Sequence, residues 1–296
     1  MKAPASPSAA EAGRDVLIIG SAGYVGTRVS AAFDRAGYRV AALQRPAGTR
    51  VNPAYRAIPG DLADPRSLVK AARGFDWVLH LGAILGEELD LAGVDALLEA
   101  GSPLILTSGS DVLGAGSVTE DSVPCPHPLV GWRDRVERRV LDAGGRVIRP
   151  GLIYGSGGGV VQNMMVPLAR RLGAGVYIGE PGVRWGAVHV DDLPSLYLAV
   201  ARYAAPSTVW NAVAENVRVD KLAELVGRGR SLSWPVDQAP PPEIAPIAGL
   251  FRLDQVVSAE KTRRELGWAP RHTDAVASLA REFAEAGIDG YDPVVL

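Results

Sequence analysis

Three glycines spaced three apart, Gly20, Gly23 and Gly26, lie within the run VLIIGSAGYVGTRVSAAF. Backbone without Cβ atoms can approach a pyrophosphate, and the free amides and positive dipole end of a following helix hold its charge. These glycines, with Ala22, Tyr24 and Val25 between them, are assigned to binding a dinucleotide. The end of the next apolar run selects which one. An NAD site usually carries Asp or Glu about 20 residues past the glycines, whereas this chain has Gln44 and then Arg45. A guanidinium fork pairs with a 2′-phosphate that a carboxylate would repel, so NADP is the expected cofactor. The alternative is that Arg45 is an ordinary solvated arginine.

The surrounding elements must position that turn. Val16 to Ile19 is apolar without alternation, as a parallel strand covered on both faces requires. Val25, Val29, Ala32 and Phe33 share one face of a helix that Gly37 closes, and Tyr38 to Leu43 reads as a second strand. Tyr55 to Ile58, Asp76 to Ala83 and Pro103 to Thr107 read as the third, fourth and fifth strands, with helices from Pro65 to Ala72 and Glu87 to Ala100 between them. This alternation predicts an α/β fold, a Rossmann-type doubly wound parallel sheet. Asp61 has two readings of equal weight, an acceptor for an adenine amino group or a turn aspartate ahead of the Pro65 helix. Gly82 and Ala83 are small enough for close cofactor approach, and His80 reads as a packed histidine. Thr107-Ser108-Gly109-Ser110 ends the fifth strand in hydroxyls.

Length and composition bound the rest. A chain of 296 residues with 47% hydrophobic content can bury a substantial core in one large domain or two small ones. A net charge of −2 gives no electrostatic case for nucleic acid or an anionic membrane. No apolar run reaches membrane-spanning length. Residues 1–13 lack a signal-like apolar region and are expected to form a disordered tail. Cys125, the single cysteine, cannot form an internal disulfide, so a reducing cytoplasm is the expected location.

The chain resembles the extended short-chain dehydrogenases and nucleotide-sugar epimerases from about Asp15 to about Ala286. The resemblance rests on the glycine turn, Gly60-Asp61-Leu62, His80-Leu81-Gly82-Ala83, Thr107 to Gly114, Arg149-Pro150-Gly151-Leu152-Ile153-Tyr154-Gly155, His189-Val190-Asp191-Asp192-Leu193, Asn211 and Arg264 to Pro270. It implies that Asp61, Leu62, Leu81, Gly82, Ala83 and Thr107 contact the cofactor and that Pro150, Gly151 and Ile153 lie beside the nicotinamide. It implies a Rossmann domain over 14–154, completed by 187–213, and a substrate lobe from 155–186 and 214–290. His189, Asp191 and Asp192 look like structural joints between the lobes, and no metal site is expected.

The family's chemistry uses a Ser or Thr on the carbonyl, a Tyr that donates the proton and a Lys four residues later. Alignment on Glu137 puts Leu129 at the Tyr position and Arg133 at the Lys position, and on the fifth strand the usual hydroxyl position falls on Gly109. None of the eight tyrosines has a lysine four residues later. Ser108 or Ser110 is left to orient a carbonyl. Arg133 can bind the nicotinamide ribose as a fixed charge but donates no proton; equally, it reads as a surface arginine on a charged helix. Trp234 to Phe251, with five prolines among apolar residues, reads as a lid over an apolar ligand. The expected activity is reduction by NADPH of a bulky aromatic ketone, with the proton supplied by substrate or water. An angucyclinone-like polyketide as substrate follows from resemblance alone. A non-catalytic NADP sensor and a nucleotide-sugar epimerase or dehydratase are the alternatives; Arg184, where nucleotide-sugar members hold a diphosphate, keeps the last open.

Overall fold

The computed structural model describes residues 13–45, 51–82 and 85–285, so most of the expected tail, and Ala83, lie outside the described residues. In chain order the elements begin with β1 (Asp15–Ile19), α1 (Gly26–Arg35), β2 (Arg39–Gln44), β3 (Arg56–Pro59), α2 (Pro65–Ala72), β4 (Trp77–His80), α3 (Glu87–Glu99) and β5 (Leu104–Thr107). There follow β6 (Gly116–Val118), α4 (Arg133–Asp142), β7 (Arg146–Pro150), β8 (Leu152–Gly155), α5 (Val166–Leu172), β9 (Gly175–Ile178), β10 (Arg184–His189) and α6 (Leu193–Arg202). The chain continues with β11 (Thr208–Ala212), β12 (Glu215–Arg218), α7 (Val219–Val226), β13 (Ser231–Trp234), β14 (Gln255–Val257), α8 (Glu260–Leu266) and α9 (Ala275–Glu285).

Two compact units share these elements. The first comprises residues up to Ser108, Trp132–Ile148 and Leu193–Val209; the second comprises Gly109–Gly131, Arg149–Asp192 and the chain from Trp210. The division therefore places 109–131, 149–154, 187–192 and 210–213 in the second unit, apart from the Rossmann segments with which the sequence groups them.

The first unit is built on a seven-stranded sheet in the order β11-β7-β5-β4-β1-β2-β3. Pairing is parallel from β7 through β5, β4, β1 and β2 to β3. Leu17 and Ile19 point to the face where Leu68, Val94, Leu97, Val136 and Val140 of α2, α3 and α4 pack. Val16 and Ile18 point the other way and are equally buried, which is why this strand tolerates no polar alternation. Each such side chain contributes about 1.5–3 kcal/mol of burial, enough to make β1 the sheet's anchor. The fourth strand ends at His80; beyond it the Leu81 amide still donates to the Ile19 carbonyl at 2.9 Å, and the Leu81 carbonyl lies beside Gly20 of the glycine turn.

The second unit pairs β12, β10 and β8 in a three-stranded sheet and adds the pairs β13-β9 and β14-β6. Its core includes Tyr154, Val161, Leu168, Leu222 and Leu279. Within it, the segment after β13, expected to be a lid, packs part of its apolar surface into this core. Ile244 and Phe251 are buried in this core, Phe251 meets Trp185 edge-on at 4.9 Å, and Glu243 binds Arg171 through two bonds of 2.6 and 2.8 Å. The apolar residues on which the lid expectation rests are in large part core anchors.

Candidate functional site

The nucleotide cradle is formed where β1 lies between β2 and β4. The chain leaves β1 towards β2 on one side, while β4 lies on the other, so a crevice opens at the carboxyl end of β1. Gly20 has φ +85, and a Cβ there would lie 2.7 Å from the Leu81 carbonyl oxygen. A Cβ at Gly26 would overlap the Gly20 carbonyl oxygen. Both glycines are thus required by backbone packing. The Gly23 amide closes the turn onto the Gly20 carbonyl at 3.0 Å, and Ala22 and Gly23 are exposed. The Ser21 hydroxyl is enclosed in the turn without a hydrogen-bond partner, as a group awaiting a polar ligand would be. These residues fit a dinucleotide. Arg28 donates to the Tyr24 carbonyl at 2.9 Å and lies over the Tyr24 ring, so this Tyr–Arg spacing serves the turn itself.

Arg45 follows β2 directly and is exposed. The Gln44 amide accepts from the Val51 amide at 2.9 Å and donates to the Arg45 carbonyl at 2.8 Å. Asp61 makes turn contacts: its Oδ1 accepts from the Ala63 amide at 3.0 Å and its own amide donates to Ser67 Oγ at 2.9 Å. Leu62 packs so tightly on Gly82 that a Cβ there would stand 2.5 Å from its Cδ1.

His80 is buried, and its Nδ1 accepts from the Gly82 amide at 3.2 Å. Burial, reinforced by the nearby Arg133 charge and opposed by Asp90, pushes its pKa down to about 4. The unfolded chain takes up a proton on this ring below about pH 6.5 while the folded chain stays neutral, so this part of the stability is present above 6.5 and is lost as pH falls towards 4. Wild-type protein is expected to lose about 2 kcal/mol more than His80→Gln between pH 7 and pH 5. Urea denaturation at the two pH values measures the difference, and equal losses would contradict the assignment.

The tip of β5 is held by several contacts within the first unit. The Thr107 carbonyl accepts from Arg133 at 2.7 Å, and its hydroxyl and that of Tyr197 lie 2.7 Å apart. Burial pushes the Tyr197 phenol above its ordinary range, so it stays protonated at working pH. The surface reading of Arg133 is overturned, because its side chain is only 7% exposed and lies 3.6 Å from an equally buried Asp90. That carboxylate also accepts from Trp132 and from the Leu85 amide, each at 2.9 Å. The Ser108 amide continues the sheet by donating to the Ile148 carbonyl at 2.8 Å, while its hydroxyl is enclosed without a partner.

These features belong to a known pattern. Residues 16–98 match the NAD dependent epimerase/dehydratase family. The Rossmann-like α/β fold, with its parallel central sheet, is also that of solved epimerase and dehydratase structures. The dTDP-glucose 4,6-dehydratase of Bacillus anthracis, solved with NAD, aligns with a TM-score of 0.73 at 16% identity, over 92% of this chain and 97% of its own. The UDP-glucose 4-epimerase of Thermus thermophilus, also solved with NAD, gives 0.71 at 21% identity, over 92% and 99%. An uncharacterised Saccharomyces cerevisiae protein, YLL056C, is 25% identical over 91% of this chain and 99% of its own.

The remaining expected positions fall in the second unit. Pro150 is buried at the end of β7, and the Gly151 amide donates to the Ala212 carbonyl at 3.2 Å. A Cβ at Gly151 would stand 3.0 Å from the Ala187 amide, so this glycine permits β8 to lie against β10, where Ile153 pairs with Val188. Leu129 sits in a short turn and is 40% exposed. Ser110 is buried, and its carbonyl accepts from Gln255 at 2.7 Å. A Cβ at Gly109 would lie 2.5 Å from Asp111 Oδ1, so this carboxylate reaches into the space beside the glycine.

Arg184 is held by Asp254 through bonds of 2.9 and 2.7 Å. His189 donates to Glu282 at 2.8 Å and stacks on His272 at 3.8 Å, while Asp192 accepts from the His272 amide at 2.9 Å. The joints expected of His189 and Asp192 are thus made to α9 and the segment before it, inside one unit. Among the described residues no group of three or more His, Cys, Asp or Glu side chains is arranged to hold a metal, and no helix is long and apolar enough to cross a membrane.

Proposed function

We propose that this chain is an NADPH-dependent ketoreductase that acts on a bulky, mostly apolar aromatic ketone without a Tyr–Lys acid–base pair. The carrying observation is the Ser108 hydroxyl, enclosed at the carboxyl end of β5 with no partner, where a substrate carbonyl would accept its hydrogen bond. Thr107 and Ser108 hold position through Arg133, Tyr197 and Ile148, so the hydroxyl is preorganised. When bound, the nicotinamide supplies the hydride and is oxidised. Arg133 keeps the strand tip in place through the Thr107 carbonyl, a positioning role beside the ribose contact expected of it. The aromatic class of the ketone rests on resemblance to family members that lack the Tyr.

A nucleotide-sugar epimerase or dehydratase is the weaker reading. Leu129 offers no proton at the Tyr position, and the Asp254 carboxylate already occupies the Arg184 guanidinium that would meet a diphosphate.

Cofactor choice gives a direct test. Arg45→Asp is expected to weaken NADPH binding about tenfold or more and to leave NADH binding equal or better, since a carboxylate repels the 2′-phosphate and accepts from the ribose hydroxyls. Fluorescence titration with both nucleotides reads the ratio; an unchanged ratio removes the support for NADP. Oxidation of NADPH by aromatic ketones tests the reaction, and release or interconversion of a nucleotide sugar would replace it.

A further inference from the structure

We propose that Gln44 is the positioning residue for Arg45, so that selection of the cofactor's 2′-phosphate depends on a clamp at the end of β2 and not on the guanidinium alone. The inference rests on the NADP reading above. Where an NAD site usually turns a carboxylate to the ribose hydroxyls, the Gln44 side chain turns to the backbone. Its Nε2 donates to the Arg45 carbonyl at 2.8 Å, and its Oε1 accepts from the Val51 amide at 2.9 Å. One planar carboxamide therefore ties together the residue that leaves β2 and the chain that leads towards β3. The task needs a donor and an acceptor on the same group. A carboxylate has no donor for the Arg45 carbonyl and would repel it, while an apolar side chain serves neither partner.

The clamp is itself fixed by the sheet. Gln44 pairs with Pro59 of β3, and its carbonyl accepts from the Gly60 amide at 3.1 Å. On the far side, Asn52 Oδ1 accepts from the Ala54 amide at 3.0 Å and the Asn52 carbonyl from the Tyr55 amide at 2.9 Å, so the chain beyond Val51 is held as well. All of these residues belong to the first unit. The carbonyl that Gln44 grips is that of the Arg45–Pro46 peptide, and a following proline disfavours helical backbone at Arg45. Clamp and proline together restrict the backbone from which the exposed Arg45 side chain extends. An arginine on a fixed backbone has less freedom to lose when it pairs with a phosphate, which is how a residue that does not touch the phosphate can set its affinity.

The test measures NADPH and NADH binding to the full chain by fluorescence titration, together with hydrogen exchange of the Val51 amide. Gln44→Met keeps the length of the side chain, adds no charge and removes both hydrogen bonds; it is expected to weaken NADPH about tenfold, leave NADH within about twofold and speed Val51 exchange about tenfold. Gln44→Asn, whose carboxamide sits on a stem one methylene shorter, should change the same three quantities in the same direction and serves if the Met variant does not fold. Arg45→Ala should remove the preference for NADPH, and adding Gln44→Met to it should weaken NADPH no further, since the clamp acts through Arg45. Wild-type NADPH affinity in Gln44→Met or Gln44→Asn, with Arg45→Ala impaired, overturns the clamp and leaves the NADP reading standing. Equal weakening of both nucleotides by these variants, or additive losses in the double variant, makes Gln44 a purely structural residue and overturns the clamp too. If Arg45→Ala leaves the ratio of the two affinities unchanged, the NADP reading falls and the role of Gln44 with it.

Discussion

Gly26→Ala is expected to abolish nucleotide binding and to destabilise the first unit by about 3 kcal/mol, the upper end for overpacking a rigid site. The added methyl would overlap the Gly20 carbonyl oxygen and lie 2.7 Å from its carbon and 2.9 Å from Ser21 Cα. All three are backbone atoms, so relief requires α1 to move away from β1 and carry the turn's amides with it. Two other glycines separate the causes. Gly23→Ala brings a Cβ to 3.2 Å from one carbonyl oxygen and should weaken NADPH binding far less. Gly74→Ala has open space but φ +82, so it should cost about 1–2 kcal/mol of strain and leave nucleotide affinity alone. NADPH fluorescence titration and urea denaturation of the three variants test this ordering, and Gly26→Ala protein with wild-type affinity would refute the cradle.

Arg133→Met should cost about 3–5 kcal/mol, because it leaves the Asp90 charge buried and the Thr107 carbonyl without its donor. Trp132 and the Leu85 amide still serve Asp90, so the protein should fold. Adding Asp90→Asn removes the uncompensated charge and should recover about 1–3 kcal/mol, a coupling that a double-mutant cycle in urea measures directly. Additive effects would mean that Arg133 acts only through Thr107. Arg133→Lys should fall between, since a single ammonium cannot span both partners as a planar fork does.

Local pattern carried the sheet a long way. An apolar run, three glycines and a helix face specify β1, the turn and α1 because neighbouring residues decide each of them: strand burial, backbone clearance and 3.6-residue periodicity act over a few positions. The helix from Pro65 to Ala72 matches α2 for the same reason, proline being preorganised for the first turn. The absence of any tyrosine with a lysine four residues on is likewise a property of the chain alone.

What the tertiary structure decided lies in pairs distant in sequence. Arg133 sits in a run of charges that looks solvated, and only the approach of Asp90 and Thr107 shows that it is buried. Ile244 and Phe251 look like a ligand cover until the core that receives them is known. Tyr197 meets Thr107 across 90 positions of chain, and the Asp111 carboxylate can be located beside Gly109 only once the turn's backbone is known. Burial, charge pairing and close approach depend on which surfaces the fold brings together, and for a side chain that can serve either solvent or a distant partner the residue type is the same in both cases.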